Sequence, residues 1–204
     1  MRQVRDMLRG AALTAVLAGG SAFLGPGAAG AASPVQFDMV RSNGLPAACA
    51  PRGHAHVTVS ELGFSERFQI KVEGFRANTT LALFFLQVPN APFGIGWYLA
   101  DLTTDATGTV TRTLTTRAND ETFAVAVGNA PAPKPHGAKD AGTNPRFNPV
   151  HTYHVGVWFD SVADSVKNGC PAFTTPFNGD HTAGPQVLNT GTFPNNFGPL
   201  RKVF

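Results

Sequence analysis

Four aromatic side chains are the residues most readily connected with ligand binding. Phe93, Trp97 and Tyr98 lie in the stretch PNAPFGIGWYLADL, residues 89–102, between prolines and glycines, and Trp158 lies in VHTYHVGVWFD. Large flat rings held rigid by their neighbours form stacking platforms for sugars or other apolar faces, because they lose little rotamer entropy on binding. The same rings could instead close a hydrophobic core.

Strand alternation limits how many of these rings can face solvent together. If residues 96–102 form a strand, Trp97 and Leu99 point to one face, and Tyr98 and Ala100 point to the other. We therefore expect at most part of the aromatic group to be exposed. Core closure and a binding surface both remain open at this point.

Two histidines have the spacing of metal ligands on a strand. His54 and His56 are two residues apart in HAHVTVSEL, so their side chains project from the same face. A third ligand would have to come from a distant part of the chain, and the candidates are His151, His154 and His181. The shared face is the polar one, where isolated histidines need no metal.

The sequence contains no nucleophile elbow, zincin helix or phosphate-binding loop, so it predicts no catalytic residues and no cofactor. Two carboxylate pairs, Asp101 with Asp105 and Asp160 with Asp164, have spacings that general acid–base catalysis could use. Simpler roles are a turn for Asp105 and a helix cap for Asp160. Enzymatic activity is left undecided, with a binding protein favoured.

The first residues indicate export. MRQVRDMLRG carries three arginines, AALTAVLAGGSAFLG is apolar, and AAGAAS offers small residues for cleavage, so residues 1–31 are predicted to be a signal peptide. The apolar run of about 15 residues is shorter than the about 20 that a membrane span requires. We expect a secreted, extracellular protein, residues 32–204, without a membrane span in the mature chain.

Cys49 and Cys170 are the two cysteines of the chain. In an exported protein an even pair predicts a disulfide bond, because the extracellular space is oxidising. Charge argues against nucleic acid as a partner. Three of the 16 basic and one of the 13 acidic residues lie in residues 1–10, so 13 basic and 12 acidic residues remain.

Short alternating segments predict an all-β fold. The predicted strands are HAHVTVSEL, ERFQIKVEG, TLALFFLQV, a Thr-rich strand after the turn TDATG, ETFAVAVG with Phe123, Val125 and Val127 inward, and VHTYHVGVWFD. TLALFFLQV is apolar on both faces, which predicts a strand covered on both sides. A short helix is expected near residues 161–167, and a proline-rich surface loop at residues 129–149.

This pattern favours a single domain with the architecture of an immunoglobulin-like antiparallel β-sandwich, with a small barrel as the alternative. From Pro171 onward we expect an irregular C-terminal tail, an extended chain held by aromatic residues, with one or two short strands.

Several segments carry a family resemblance. GFRANTT, PFGIGWYLADL, TDATGT and HVGVWFDSVADSVKNGCP resemble segments of small secreted proteins of actinobacteria. KVEGFRANTTLAL followed by TDATGTVTRTLTTR also resembles neocarzinostatin-type β-sandwiches. Members of that family carry an enediyne chromophore, so this second resemblance implies a β-sandwich and a small-molecule ligand.

The sequence favours a secreted, non-enzymatic binding protein or cell-envelope-associated module whose partner is an extracellular ligand, a glycan or a protein. The aromatic stretch and the loop at residues 129–149 are its candidate recognition elements. One alternative is an extracellular hydrolase or metal-dependent enzyme using His54, His56 and a nearby acid. The other is a small-molecule carrier with a hydrophobic cleft lined by Phe84, Trp97 or Trp158.

Overall fold

The computed structural model describes residues 33–118, 123–125 and 149–203. The predicted signal peptide, all but the last residue of the loop at 129–149, and the predicted inward orientation of Phe123, Val125 and Val127 lie outside what it describes. The strands of the described part are β1 Val35–Arg41, β2 His54–Glu61, β3 Glu66–Glu73, β4 Thr80–Leu86, β5 Gly96–Thr103, β6 Val110–Thr116, β7 Phe123–Val125, β8 Pro149–His151, β9 His154–Phe159 and β10 Gln186–Asn189. The helices are α1 Val162–Lys167 and the 3₁₀ helix Pro199–Lys202.

Eight of these strands form one antiparallel series in the order β5-β4-β9-β10-β1-β2-β3-β6, and β7 pairs with β8 in a separate two-stranded sheet. The end strands β5 and β6 contact each other, so the series is nearly barrel-like. The turn between them is the predicted one, with the Gly108 amide donating to the Asp105 carbonyl at 3.1 Å. The prediction of a fold made mostly of antiparallel β-sheet is therefore confirmed.

Strand β1 connects the two halves of the series, which are β5-β4-β9-β10 and β1-β2-β3-β6. Its residues Val35 to Met39 pair with β2, whereas Val40 and Arg41 pair with β10. Strand β1 was not predicted, although VQFDMV alternates in the same way as the predicted strands. One of the short strands expected in the C-terminal tail is β10, which lies between β9 and β1.

The main hydrophobic core contains side chains from both halves of the series. The alternating residues of β2 and β3 are buried there, as predicted, and β4 and β9 contribute their own alternate residues; the set is Val57, Val59, Phe68, Ile70, Val72, Leu81, Leu83, Phe85, Val155, Val157 and Phe159. Phe68 meets Phe85 edge to face, with ring centroids 5.5 Å apart. Each fully buried side chain of this size stabilises the fold by about 1.5–3 kcal/mol relative to exposure.

Strand β4 is buried on both faces, which confirms the prediction from TLALFFLQV. Leu81, Leu83 and Phe85 face the main core, and the residues between them belong to a second group. We call this group the outer aromatic cluster: Ala82, Phe84, Leu86, Trp158 and Ala183, with Phe93 and Phe177 packed against them.

The segment VHTYHVGVWFD forms two strands rather than the single predicted strand. Its first residues, in β8, pair with β7, and β9 pairs with β4 and β10. The break falls at Thr152 and Tyr153, where the Tyr153 carbonyl accepts from the Leu200 amide at 3.1 Å. Within β9 the predicted alternation is correct, because Val155, Val157 and Phe159 face the main core and Trp158 faces the outer cluster.

The predicted short helix is present, but its cap is not the predicted one. Ser161, rather than Asp160, is the N-cap, and its hydroxyl accepts from the Asp164 amide at 3.1 Å. The helix ends at Lys167, Asn168 is its C-cap, and Gly169 follows with φ +71°. A glycine there relieves the strain of the left-handed conformation.

The predicted disulfide joins Cys49 to Cys170, 121 residues apart, with their Cα atoms at 4.3 Å. It fixes the point where α1 gives way to the C-terminal tail. No helix in the described part of the chain combines the length and the apolar character needed to cross a membrane.

Candidate ligand-binding site

Four rings pack on the outer face of β4 and β9. Trp158 and Phe177 are stacked, with centroids 4.2 Å apart and planes 12° from parallel. Phe84 and Phe93 meet Trp158 edge to face at 5.3 Å and 5.0 Å. Trp158 is fully buried, so this face of the sheet is covered rather than open.

The cover is the first part of the C-terminal tail. Thr175 donates its amide to the Ala183 carbonyl at 2.6 Å, which closes a loop that carries Phe177 at its base. Asn178 anchors the loop to the sheet by donating Nδ2 to the Asp160 carbonyl at 2.7 Å. Its Oδ1 also accepts from the Thr182 amide at 2.8 Å. Apolar stacking and side-chain capping together hold the loop over β9.

A register shift in β5 determines which of its side chains lie next to the covering loop. Leu83 pairs with Ala100, but the next residue of β4, Phe84, pairs with Tyr98, so β5 carries one extra residue at Leu99. The predicted shared face for Tyr98 and Ala100 is therefore wrong. Ala100 lies on the face of the main core, as Leu83 does, and Tyr98 lies on the outer face with Phe84. Such bulges re-aim side chains and are frequent next to functional sites.

The shift brings Tyr98 onto the same face as Asp101, which pairs with Ala82. We call the depression beside them the Tyr98 cleft. Its volume is about 490 Å³, and its lining residues are Phe84, Tyr98, Asp101, Asp160, Pro176, Asn178, Gly179 and Asp180. Tyr98 is 47% exposed, and its ring meets the edge of Phe84 at 5.6 Å. An accessible ring thus lies beside three carboxylates.

The Tyr98 cleft is electrostatically negative. Burial raises the pKa of Asp160 above its ordinary value, and the neighbouring charge of Asp101 raises this pKa further. Burial also raises the pKa of Tyr98, with a second contribution from its hydrogen bond to Asp101. Both shifts oppose loss of the proton. The Tyr98 hydroxyl can donate a hydrogen bond, and the carboxylates of Asp101 and Asp160 can accept. The cleft can therefore satisfy ligands that carry several hydroxyl groups.

A second depression, the Trp158 cleft, lies on the other side of the covering loop. It has a volume of about 600 Å³ and is lined by Ser42, Asn43, Gly44, Leu45, Asn90, Ala91, Phe93, Trp158, Pro171, Phe173, Thr175, Pro185 and Gln186. Its walls are mostly apolar, and Phe173 is half exposed at its rim. The two clefts share no lining residue, and the aromatic cluster separates them.

The four predicted aromatic residues are thus divided among different environments. Tyr98 lines one cleft, Phe93 and Trp158 line the other, and Trp97 lines neither. Trp97 pairs with Phe85 on the main-core side of β5, yet it is 60% exposed. Trp158 therefore belongs to the core and Tyr98 and Trp97 are accessible, while ligand binding by these residues stays a prediction.

The two predicted metal ligands each have a partner that is not a metal. His54 Nδ1 donates to the Arg52 carbonyl at 2.9 Å, and its Nε2 lies 3.6 Å from Glu73. His56 Nδ1 lies 2.7 Å from Asp38. Nowhere in residues 33–118, 123–125 or 149–203 do three or more His, Cys, Asp or Glu side chains come together as a metal site would require.

His154, one of the candidate third ligands, is fully buried in a different part of the fold. Its Nε2 donates to the Asn195 carbonyl at 3.1 Å, and its Nδ1 lies 2.9 Å from the Thr190 hydroxyl. Burial lowers the pKa of His154. The residue ties β9 to the C-terminal tail.

The carboxylate pairs predicted from spacing are rearranged. Asp105 forms the expected turn, accepting from the amides of Thr107 and Thr109 at 2.8 Å and 3.1 Å, and the hydrogen bonds lower its pKa. Asp164 accepts from the hydroxyl of the N-cap Ser161 at 2.7 Å and pairs with Lys167 at 3.2 Å. Their predicted partners, Asp101 and Asp160, come together instead in the Tyr98 cleft. Sequence spacing contained no signal for this pair, because Asp101 lies in β5 and Asp160 follows β9, a strand that does not pair with β5.

Comparison with protein-family models, with curated proteins and with solved structures finds no match to this chain.

Proposed function

We propose that the protein is a secreted, non-enzymatic binding module, associated with the cell envelope or its surroundings, that takes a glycan in the Tyr98 cleft. The observation that carries this proposal is the convergence of Tyr98, Asp101 and Asp160 on one open depression of about 490 Å³. Tyr98 and Asp101 belong to β5 and Asp160 directly follows β9, and β4 lies between these two strands. Secretion follows from the predicted signal peptide of residues 1–31.

The chemistry of the cleft suits a sugar. The flat ring of Tyr98 offers an apolar surface for the C–H face of a pyranose, and its position against Phe84 restricts its rotation. Carboxylates such as Asp101 accept strong hydrogen bonds from hydroxyl groups, and the amide of Asn178 borders the same space. A few polar groups placed around an apolar surface are typical of specific small-ligand sites.

The finer fold assignment belongs to the same proposal. We propose an immunoglobulin-like β-sandwich in which β1, β2, β3 and β6 form one layer and β5, β4, β9 and β10 form the other. Two observations support it: the main core contains side chains from both groups, and β1 changes partner from β2 to β10 along its length. The resemblance to small secreted actinobacterial proteins, and to neocarzinostatin-type sandwiches, is consistent with this arrangement.

Binding should be tested on a glycan array, followed by titration calorimetry with the best ligand. Tyr98→Ala should weaken binding by about tenfold or more, the loss expected when one well-packed aromatic contact is removed. Trp97→Ala is the matched control, because Trp97 is adjacent and exposed but lines neither cleft. Equal losses in both variants, or no glycan bound by the wild-type protein, would reject the proposal.

An extracellular glycoside hydrolase is a second candidate, and one observation favours it. Asp160 has a raised pKa and shares a cleft with Asp101, which is how an acid and its partner carboxylate are arranged in such enzymes. Release of reducing sugar from the bound glycan would support this candidate, with Asp160→Asn expected to abolish the release while binding persists. Binding without turnover would leave the non-enzymatic module as the function.

A further inference from the structure

The Trp158 cleft combines apolar walls with a polar floor. Phe93, Trp158 and Phe173 form the walls, and Phe173 is half exposed at the opening. Clefts of about 300–1,000 Å³ with such walls are the usual sites for small molecules, and this one measures about 600 Å³. Its size and lining differ from those of the acidic Tyr98 cleft.

The polar floor is internally satisfied. Gln186 Oε1 accepts from the Ser42 hydroxyl and from Asn189 Nδ2, both at 3.0 Å, and Gln186 Nε2 donates to the Pro89 carbonyl at 3.1 Å. Asn189 Nδ2 also donates to Asn90 Oδ1 at 3.2 Å. This network holds the loop that begins at Pro89 against β10, so the floor is rigid.

The indole N–H of Trp158, in contrast, makes no hydrogen bond to any described residue. The indole Nε1 can only donate, it is buried, and it has no hydrogen-bond acceptor in the described part of the chain. Buried donors without acceptors are uncommon, because their desolvation is not compensated. The same side chain forms part of the wall of the cleft.

We propose that the Trp158 cleft binds a flat, largely apolar small molecule that carries a hydrogen-bond acceptor, and that this acceptor pairs with Trp158 Nε1. Because Trp158 is fully buried, the ligand has to displace Phe93, which meets Trp158 edge to face at 5.0 Å, is only partly buried and belongs to the loop before β5. This site does not depend on the glycan site and could be present without it.

Coumarin and naphthalene are matched probes for this idea. Both are planar bicyclic molecules of similar size, but only coumarin carries a carbonyl acceptor. The chain has two tryptophans, so ¹⁵N-labelled protein gives two indole signals, and Trp97→Phe identifies that of Trp158. Millimolar coumarin should move the Trp158 N–H proton downfield, and naphthalene should not produce this downfield shift. An unmoved Trp158 signal, or the same downfield shift with both probes, would overturn the proposal.

Substitution at the cleft opening tests the location without disturbing the buried tryptophan. Phe173→Ser should weaken coumarin binding by about tenfold, through loss of one apolar wall. Phe64→Ser is the matched control, because Phe64 is 93% exposed and lies on the β2–β3 turn, outside the cleft. Equal affinity in Phe173→Ser and the wild-type protein would place coumarin elsewhere and reject this site.

Discussion

The outward faces of the two halves of the strand series differ sharply. On β3 the outward residues Arg67, Gln69 and Lys71 are exposed, whereas on β4 the outward residues Ala82 and Phe84 are buried. Both strands obey the same period of two along the chain. The difference arises because the C-terminal tail covers β4 and β9, while no described segment covers β3.

This contrast explains where the clefts lie. The outward face of β3 is open to water and needs only polar side chains, which the strand's own sequence provides. The outward face of β4 and β9 is covered by the C-terminal tail, which contributes the ring of Phe177. Because the tail does not cover this face completely, a cleft remains at each edge of it. Tyr98 borders one such edge and Phe93 the other. The two clefts thus lie where a distant segment meets the sheet.

The largest effect should follow from cutting the covalent link at the start of the tail. Replacing both cysteines, Cys49→Ser with Cys170→Ser, should lower the free energy of unfolding by about 4–5 kcal/mol, because the cross-link restricts a very long loop in the unfolded chain. Urea unfolding followed by circular dichroism would measure it. Reduced wild-type protein should match the double variant, and a loss below about 1 kcal/mol would show that the tail is held by packing alone.

The next largest loss of stability should follow from removing the Trp158 ring, which the C-terminal tail covers. Trp158→Ala should cost about 3–5 kcal/mol of unfolding free energy, as expected for a fully buried aromatic side chain. Gln69→Ala, on the open face of β3, is the matched control and should change stability by less than about 0.5 kcal/mol. Similar losses for the two variants in urea unfolding would contradict the difference between the faces.

A smaller, pH-dependent effect should come from His154. Burial lowers its pKa in the folded protein below the ordinary 6.5, so the unfolded chain takes up a proton first as the solution is acidified. Stability should be complete above pH 6.5 and should fall as the pH drops from there toward the folded pKa. His154→Gln should have a flatter profile over this range in urea midpoints, despite lower stability at pH 7. Parallel profiles would argue against this role.

The smallest effect is expected at Asp160. Its pKa is raised in the folded state, so its stabilising contribution is present below the ordinary 3.8 and is lost as the pH rises through the folded pKa. Asp160→Asn should therefore have a slightly higher melting temperature than the wild-type protein at pH 7. The difference should shrink below pH 3.8. A less stable variant at pH 7 would mean that the carboxylate is needed for structure.

Local patterns predicted three consecutive strands of the chain well. The strands β2, β3 and β4 were found within two residues of their observed ends, because apolar alternation reports directly which face is buried. The disulfide followed from the number of cysteines and the predicted export. Strand β1 was missed although VQFDMV alternates, and only its partner strands reveal that it joins the two halves.

The Tyr98 cleft could not be predicted, for a geometric reason. One extra residue at Leu99 moves Tyr98 from the face of Ala100 to that of Asp101, and no local motif announces a bulge there. Asp160, which follows β9, and Asp180, in the tail, line the same cleft. The position of both carboxylates beside Tyr98 depends on the register of β9 and on the packing of Phe177 against the sheet, which are long-range properties.

The amino-acid sequence by itself determined which strands alternate, which strand is covered on both faces, and which two cysteines are joined, because these depend on side-chain type and period. Only the tertiary structure decided that Tyr98 is accessible, that Trp158 is buried, and that Asp101 meets Asp160. These outcomes depend on which segments pack together, and packing is decided by the free energy of the whole core rather than by neighbours along the chain.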